Sequence, residues 1–169
     1  MKSLTSLALI LTLLLVGCGN PASNKQTVTL EDGTKGSVET QSDGSVKIES
    51  GDAKMEAGGN ITVTEADIHA PFYPGADYKS ERSFKMSSDT ESNAMAVLMS
   101  TDPIDKIEGF YKEKMKGMKF DKIEFEGQVT ILGVQENEDG SKVAITLMQK
   151  KAGEPVEINM AYGNTSEKK

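Results

Sequence analysis

The chain has 169 residues, and its 19 basic against 26 acidic side chains give a formal net charge of −7. An acidic chain without a basic cluster repels nucleic-acid phosphate and anionic lipid headgroups, so neither is an expected partner. Aromatic residues make up 5%, Trp is absent and there are 9 Met, so the core is expected to be aliphatic and methionine-filled.

The first element is an apolar run. Met1 and Lys2 precede a stretch from Leu4 to Val16 that only Thr5, Ser6 and Thr12 interrupt. It is shorter than the roughly 20 residues that an α-helix needs to cross hydrocarbon. One positive charge ahead of a short apolar stretch predicts a secretory signal peptide over residues 1–17. The junction Leu15-Val16-Gly17-Cys18 resembles the lipobox of bacterial lipoproteins, with the single cysteine of the chain in the last position. The resemblance implies cleavage between Gly17 and Cys18, diacylglycerol on the Cys18 sulfur and a further acyl chain, such as palmitate, on the new terminus. Two or more chains anchor stably, where one does not. The mature chain would carry neither a disulfide nor a catalytic thiol. Gly19, rather than Asp, follows the cysteine. By analogy with enterobacterial sorting this favours the periplasmic face of the outer membrane, in an organism that has two membranes.

Residues 18–25 read as the acylated terminus and a flexible tether with a reach of at most roughly 25 Å. Residues 26–66 carry short apolar alternations (Val28 and Leu30, Val38, Val46 and Ile48, Met55, Ile61 and Val63). Asp32-Gly33, Asp43-Gly44, Gly51-Asp52 and Gly58-Gly59 separate them, and such dipeptides supply the positive φ of tight hairpin turns. A small β-repeat or a partly disordered segment is expected there, since so few apolar residues per strand bury little.

From residue 67 to 163 the pattern is that of an α+β domain, with residues 164–169 as a disordered tail. Pro71, Pro74 and Gly75 make a rigid turn, and strands are predicted over 77–86 and 92–101. A helix follows: Asp102 is placed to cap it, Pro103 suits its first position and Asp105 favours its positive end. Ile104, Ile107, Tyr111, Met115 and Met118 form one apolar face, and Gly117 is the expected stop. The runs "KFDKIEFE", "QVTILGVQE", "SKVAITLMQK" and "PVEINMAY" complete a β-β-α-β-β-β-β order, an antiparallel sheet with one helix on a face. Tyr73-Pro74-Gly75-Ala76 and the later Phe110-Tyr111 are similar to small uncharacterised bacterial lipoproteins and exported domains. That likeness spans about residues 70–162 and implies no active site.

Tests for chemistry nominate no catalytic residue. His69 is the only histidine. A triad would join it to Ser80 or Ser83, but no nucleophile elbow is present, so it reads as a linker imidazole. Gln135, Asn137 and Asp139 precede Gly140 as in a calcium loop, but Thr146 stands where the closing Glu belongs. Met86, Met95, Met99, Met115 and Met118 offer soft thioethers that suit Cu(I), against the commoner use of methionine to fill cores. Glu124, Glu126, Glu136, Glu138 and Asp139 are spread along strands and turns without a pair against a pocket. The expectation is a lipid-anchored, non-enzymatic binding or structural component of the cell envelope, with an envelope protein as partner and no cofactor. A methionine copper or small-ligand binder, and a hydrolase, are the alternatives.

Overall fold

Short alternating runs between Gly-centred turns build one antiparallel sheet. The computed structural model describes residues 24–29 and 33–165, with eleven strands among them. The first four are β1 (Asn24–Thr29), β2 (Lys35–Thr40), β3 (Val46–Ser50) and β4 (Ala53–Ala57). A short helix α1 (Glu65–Ile68) and β5 (Asp77–Tyr78) precede β6 (Phe84–Ser87) and β7 (Glu91–Ser100). Helix α2 (Ile104–Lys114) leads into β8 (Lys119–Phe125), β9 (Gln128–Glu136), β10 (Lys142–Gln149) and β11 (Val156–Thr165). The lateral order is β1-β2-β3-β4-β6-β7-β11-β10-β9-β8, with β5 beside β7. The fold is α+β, an antiparallel sheet carrying one main helix. Strands β1 to β4 of the 26–66 segment belong to the same sheet, since β4 pairs with β6 through Met55 and Met86.

Helix α2 forms because Ile104, Ile107 and Tyr111 recur on one side, and all three are buried in the main core cluster with Met115 and Met118. Glu108 and Lys112 pair one turn apart on its outer side at 2.6 Å. Its ends differ from expectation. Pro103 is the cap residue and has no polar side chain to bond the helix end, while the Asp102 carboxylate is taken by the Tyr73 hydroxyl and by Lys106. The helix stops at Lys114, ahead of Gly117, where the chain turns to bring Met118 back onto the core. Thr64 and Asp67 close a reciprocal capping box on α1.

The strand expected over 77–86 is broken. Tyr78 pairs with Leu98 and Phe84 with Met95, so residues 79–83 stand opposite only 96 and 97. The polar run Ser80–Arg82 coils into a 3-10 turn that absorbs the excess. The side chain of buried Ser83 makes this possible. Its hydroxyl accepts the Val97 N–H at 3.2 Å and donates to the Lys79 carbonyl at 2.9 Å, replacing a missing ladder partner. Three extra residues are an odd number, so side-chain parity flips across the turn. Tyr78 shares the helix-covered face with Leu98, whereas Phe84 and Met86 point to the opposite face, the free face, which carries none of the described helices.

The apolar side of the sheet therefore changes face at this point. Between β7 and β9 the covered face carries Leu98, Ile158, Leu147 and Ile131 in one cross-strand row, each 0–1% exposed. On the far side of the turn Val38, Ile48, Met55 and Met86 form a comparable row on the free face, each half-buried.

Three other expectations are corrected. Ile61 and Val63 form no strand. They lie in the loop before α1 and fill the core at 7% and 2% exposure. The Tyr78 hydroxyl serves this loop by accepting the Val63 N–H and donating to the Ile61 carbonyl, so it needs no ladder. Gly59 in the same loop, with φ +56°, lies so close to the 41–45 turn that a Cβ would stand 2.3 Å from the Ser45 nitrogen. At the ends, Asn24 and Lys25, expected in the tether, pair with Thr40 and Glu39 of β2. Asn164 and Thr165, expected in the tail, pair with Ser92 and Glu91 of β7. In both places ladder bonds continue past the last large apolar residue, which hydropathy does not register.

Candidate functional site

Strand register assigns the exposed apolar side chains to one place. Ile123, Phe125, Leu132 and Val134 are the large hydrophobic residues left exposed among the described residues, at 64%, 70%, 41% and 42%. All four lie on the free face of the β8–β9 hairpin, because Asp121 pairs with Leu132, Lys119 with Val134 and Ile123 with Thr130. The surface continues inward through Ala144 and Ala161 to Met95, since Val134 pairs with Ala144, Ala144 with Ala161 and Ala161 with Met95. Contiguous apolar surface of this kind suits burial against another molecule.

Arg82 fixes one margin of that face. Its guanidinium makes a two-pronged ion pair with Glu157 at 2.7 and 2.8 Å, holding the 3-10 turn to β11. The Arg82 hydrogen bonds hold the Glu157 carboxyl below its usual range.

A polar cleft of about 290 Å³ opens beside β4, β6 and β7, lined by Lys54, Glu56, Asp67, Lys85, Ser92 and Asn93 among others. Glu56, Lys85 and Asp67 are already committed to partners. Glu56 sits 3.4 Å from both Lys47 and Lys85; burial pushes its carboxyl up, but the two ammonium groups outweigh this and leave it lowered. Asp67 is likewise lowered against burial, by the Thr64 backbone and hydroxyl.

The residues tested for chemistry fall into structural roles. Gly17 and Cys18 lie outside the described residues. His69 caps α1 in the left-handed region at φ 56°, and its ring stacks on Tyr162 at 4.2 Å. Ser80 donates to the Gly59 carbonyl, and Ser83 is used by Lys79 and Val97, so neither hydroxyl is bonded to the imidazole. Asp139 accepts both the N–H and the hydroxyl of Ser141, at 2.9 and 2.7 Å, in the β9–β10 turn. Asp43 and Ser45 repeat that geometry at 2.9 and 2.7 Å between β2 and β3. The shared Asp-Gly-Ser sequence was legible as a signal beyond Asp-Gly alone. Met118 lies on the covered face against Gly133, while Met86, Met95 and Met99 lie on the free face, so the five thioethers do not share one face. Among the described residues no group of three or more His, Cys, Asp or Glu is placed to hold a metal ion. None of their helices is long and apolar enough to cross a membrane.

No protein-family model matches the chain, and no curated protein or solved structure matches it significantly. The functional reading therefore rests on the residues themselves. Glu124 and Lys122 face each other at 3.0 Å on the outer strand β8, and Lys142 and Glu136 lie 3.5 Å apart at the other end of β9. Of these, only Lys142 and Glu136 share the free face with the apolar side chains and border it with charge of both signs, as the rim of a protein interface does. Lys122 and Glu124 alternate with Ile123 and point to the helix-covered side, where Lys122 also lies 3.6 Å from Asp105 of α2.

Proposed function

We propose that the chain is a membrane-anchored lipoprotein of the cell envelope that works as a binding or structural component and not as an enzyme. The anchor is Cys18, acylated after cleavage at the Gly17–Cys18 bond, with the outer membrane favoured by Gly19. The observation that supports a binding role is the placement of Ile123, Phe125, Leu132 and Val134 on one free sheet face. For the finer organisation we propose a helix-covered unit over residues 58–165, which takes in the core loop of Ile61 and Val63, with β1 to β4 appended to it.

Metabolic labelling with an alkynyl palmitate tests the anchor. The wild type should take the label and Cys18→Ser should not, and equal labelling of both overturns the lipoprotein reading. Cross-linking in intact cells tests the face. Adducts should be lost in Leu132→Asp while its melting temperature stays unchanged. Adducts that survive that substitution place recognition elsewhere.

A further inference from the structure

The two margins of the sheet differ in kind. β1 is polar and holds no exposed large apolar side chain, whereas β8 holds Ile123 and Phe125, both mostly exposed. A protected edge carries charges and little else, so β8 is half-protected at most. Its turn shows which backbone groups face away from every described strand. Glu126 and Gly127, with φ 50° and 81°, make a two-residue turn of the I′ kind between the facing pair Phe125 and Gln128. That pair bonds inward in such a hairpin. Alternation then directs the N–H and C=O groups of Ile123 and Asp121 to β9, and those of Glu124, Lys122 and Phe120 outward.

We propose that β8 is a homodimer edge, pairing antiparallel with β8 of a second copy about a two-fold axis at Ile123. Charge and overlap together select this register. Centring on Phe120 would also oppose Lys119 with Asp121, but it overlaps only residues 119–121 of each strand, against 121–125 here. Centring on Lys122, Asp121 or Glu124 sets a like charge against itself across the axis. Centring on Ile123 sets Lys122 opposite the second copy's Glu124, and Glu124 opposite its Lys122. The same register makes these two rungs the hydrogen-bonded ones, because Lys122 and Glu124 already present their backbone groups outward. Ile123 meets its own copy in the closer, non-bonded kind of pair, and Phe125 comes opposite Asp121. The apolar patches of the two hairpins then join into one surface across the axis. Exposed ion pairs add little affinity, so backbone bonds and apolar burial hold the copies together. Like charges directly opposite are nonetheless destabilising, and reversing one residue sets such a pair on two rungs at once.

This inference deepens the structural-component reading by naming a second copy as partner, and its failure leaves the labelling result at Cys18 untouched. The experiment uses the full chain carrying Cys18→Ser, in detergent, with sedimentation mass and disulfide trapping as readouts. The background protein should run at twice the protomer mass. Ile123→Cys should give a disulfide-linked dimer on mild oxidation, because antiparallel non-bonded pairs place Cα atoms about 4.5 Å apart, within disulfide range. Phe125→Cys should not, because its copy lies four residues along the strand, about 13 Å away. Glu124→Lys should halve the mass, and adding Lys122→Glu to it should restore the dimer. A monomeric background protein, a mass unchanged by Glu124→Lys, or equal trapping at both cysteine positions overturns the proposal.

Discussion

The Tyr73 hydroxyl donates to the Asp102 carboxylate at 2.7 Å, joining the Pro74-Gly75 turn to the start of α2 across 29 residues of chain. Tyr73 is 5% exposed and its ring meets Phe110 edge-on at 5.3 Å, so the bond works from a fixed ring. Tyr73 and then Lys106 hold the Asp102 carboxyl below its ordinary value. A depressed carboxyl stabilises the fold above its unfolded pKa, near 3.9, and that contribution is lost as pH falls through the folded value. Tyr73→Phe should lower the melting temperature by a few degrees, on the order of 3 °C, at neutral pH. Calorimetry across pH should show the difference constant above about pH 5 and shrinking below about pH 4.

Ser83→Ala removes the acceptor of the Val97 N–H at a place that the 3-10 turn shields from water. A buried donor left unpaired costs about 1–3 kcal/mol. Urea unfolding should show that loss with an unchanged slope. A neutral result means that another acceptor takes the N–H.

Tyr111 is fully buried, its hydroxyl pointing at the Met160 sulfur at 3.5 Å, and burial pushes its phenol well above the ordinary value. A raised phenol keeps its proton in the fold and releases it on unfolding, so stability falls as pH rises past about 10. Absorbance titration near 295 nm should miss this tyrosine until the chain unfolds cooperatively. Tyr111→Phe should remove part of that alkaline sensitivity.

Ile61, Val63 and Ile68 belong to the core but precede residue 70. Each buried aliphatic side chain contributes about 1.5–3 kcal/mol, and together they approach the whole stability of a small domain. A fragment of residues 58–165 should melt cooperatively, while one of residues 70–163 should not. Circular dichroism on both decides the matter.

Helix α2 was legible because Ile104, Ile107 and Tyr111 obey a helical period strong enough to survive errors at both ends. The broken strand was not. Tyr78, Phe84 and Met86 share even parity, so the sequence reads as one face; only the pairing with β7 reveals the three surplus residues. The role of Asp102 was misread for a related reason. Its neighbours in sequence argue for a cap, whereas its partner Tyr73 lies far back in the chain. The exposed apolar residues of β8 and β9 were visible as strand residues, but alternation alone does not say which face a helix will cover. The burial of Ile61 and Val63 followed the same rule, since a two-residue alternation looks like a strand whether or not a neighbour pairs with it.

The position of β1 at the sheet margin gives the molecule a mechanical direction. Among the described residues β1 is held by β2 alone, and Asn24–Thr40 is the first of its rungs met by a pull from the N-terminal side. Such a load opens rungs one after another, as a zipper opens. β11 lies between β7 and β10, so a pull on its end shears two ladders together. Tension from an anchored N-terminus would therefore be spent first on β1 to β4. Their 34 residues, 24–57, extend to roughly 110–120 Å at full stretch. The helix-covered part could stay folded while that length yields, so the appended strands would serve as a compliant coupling between the membrane and whatever the rest of the chain holds.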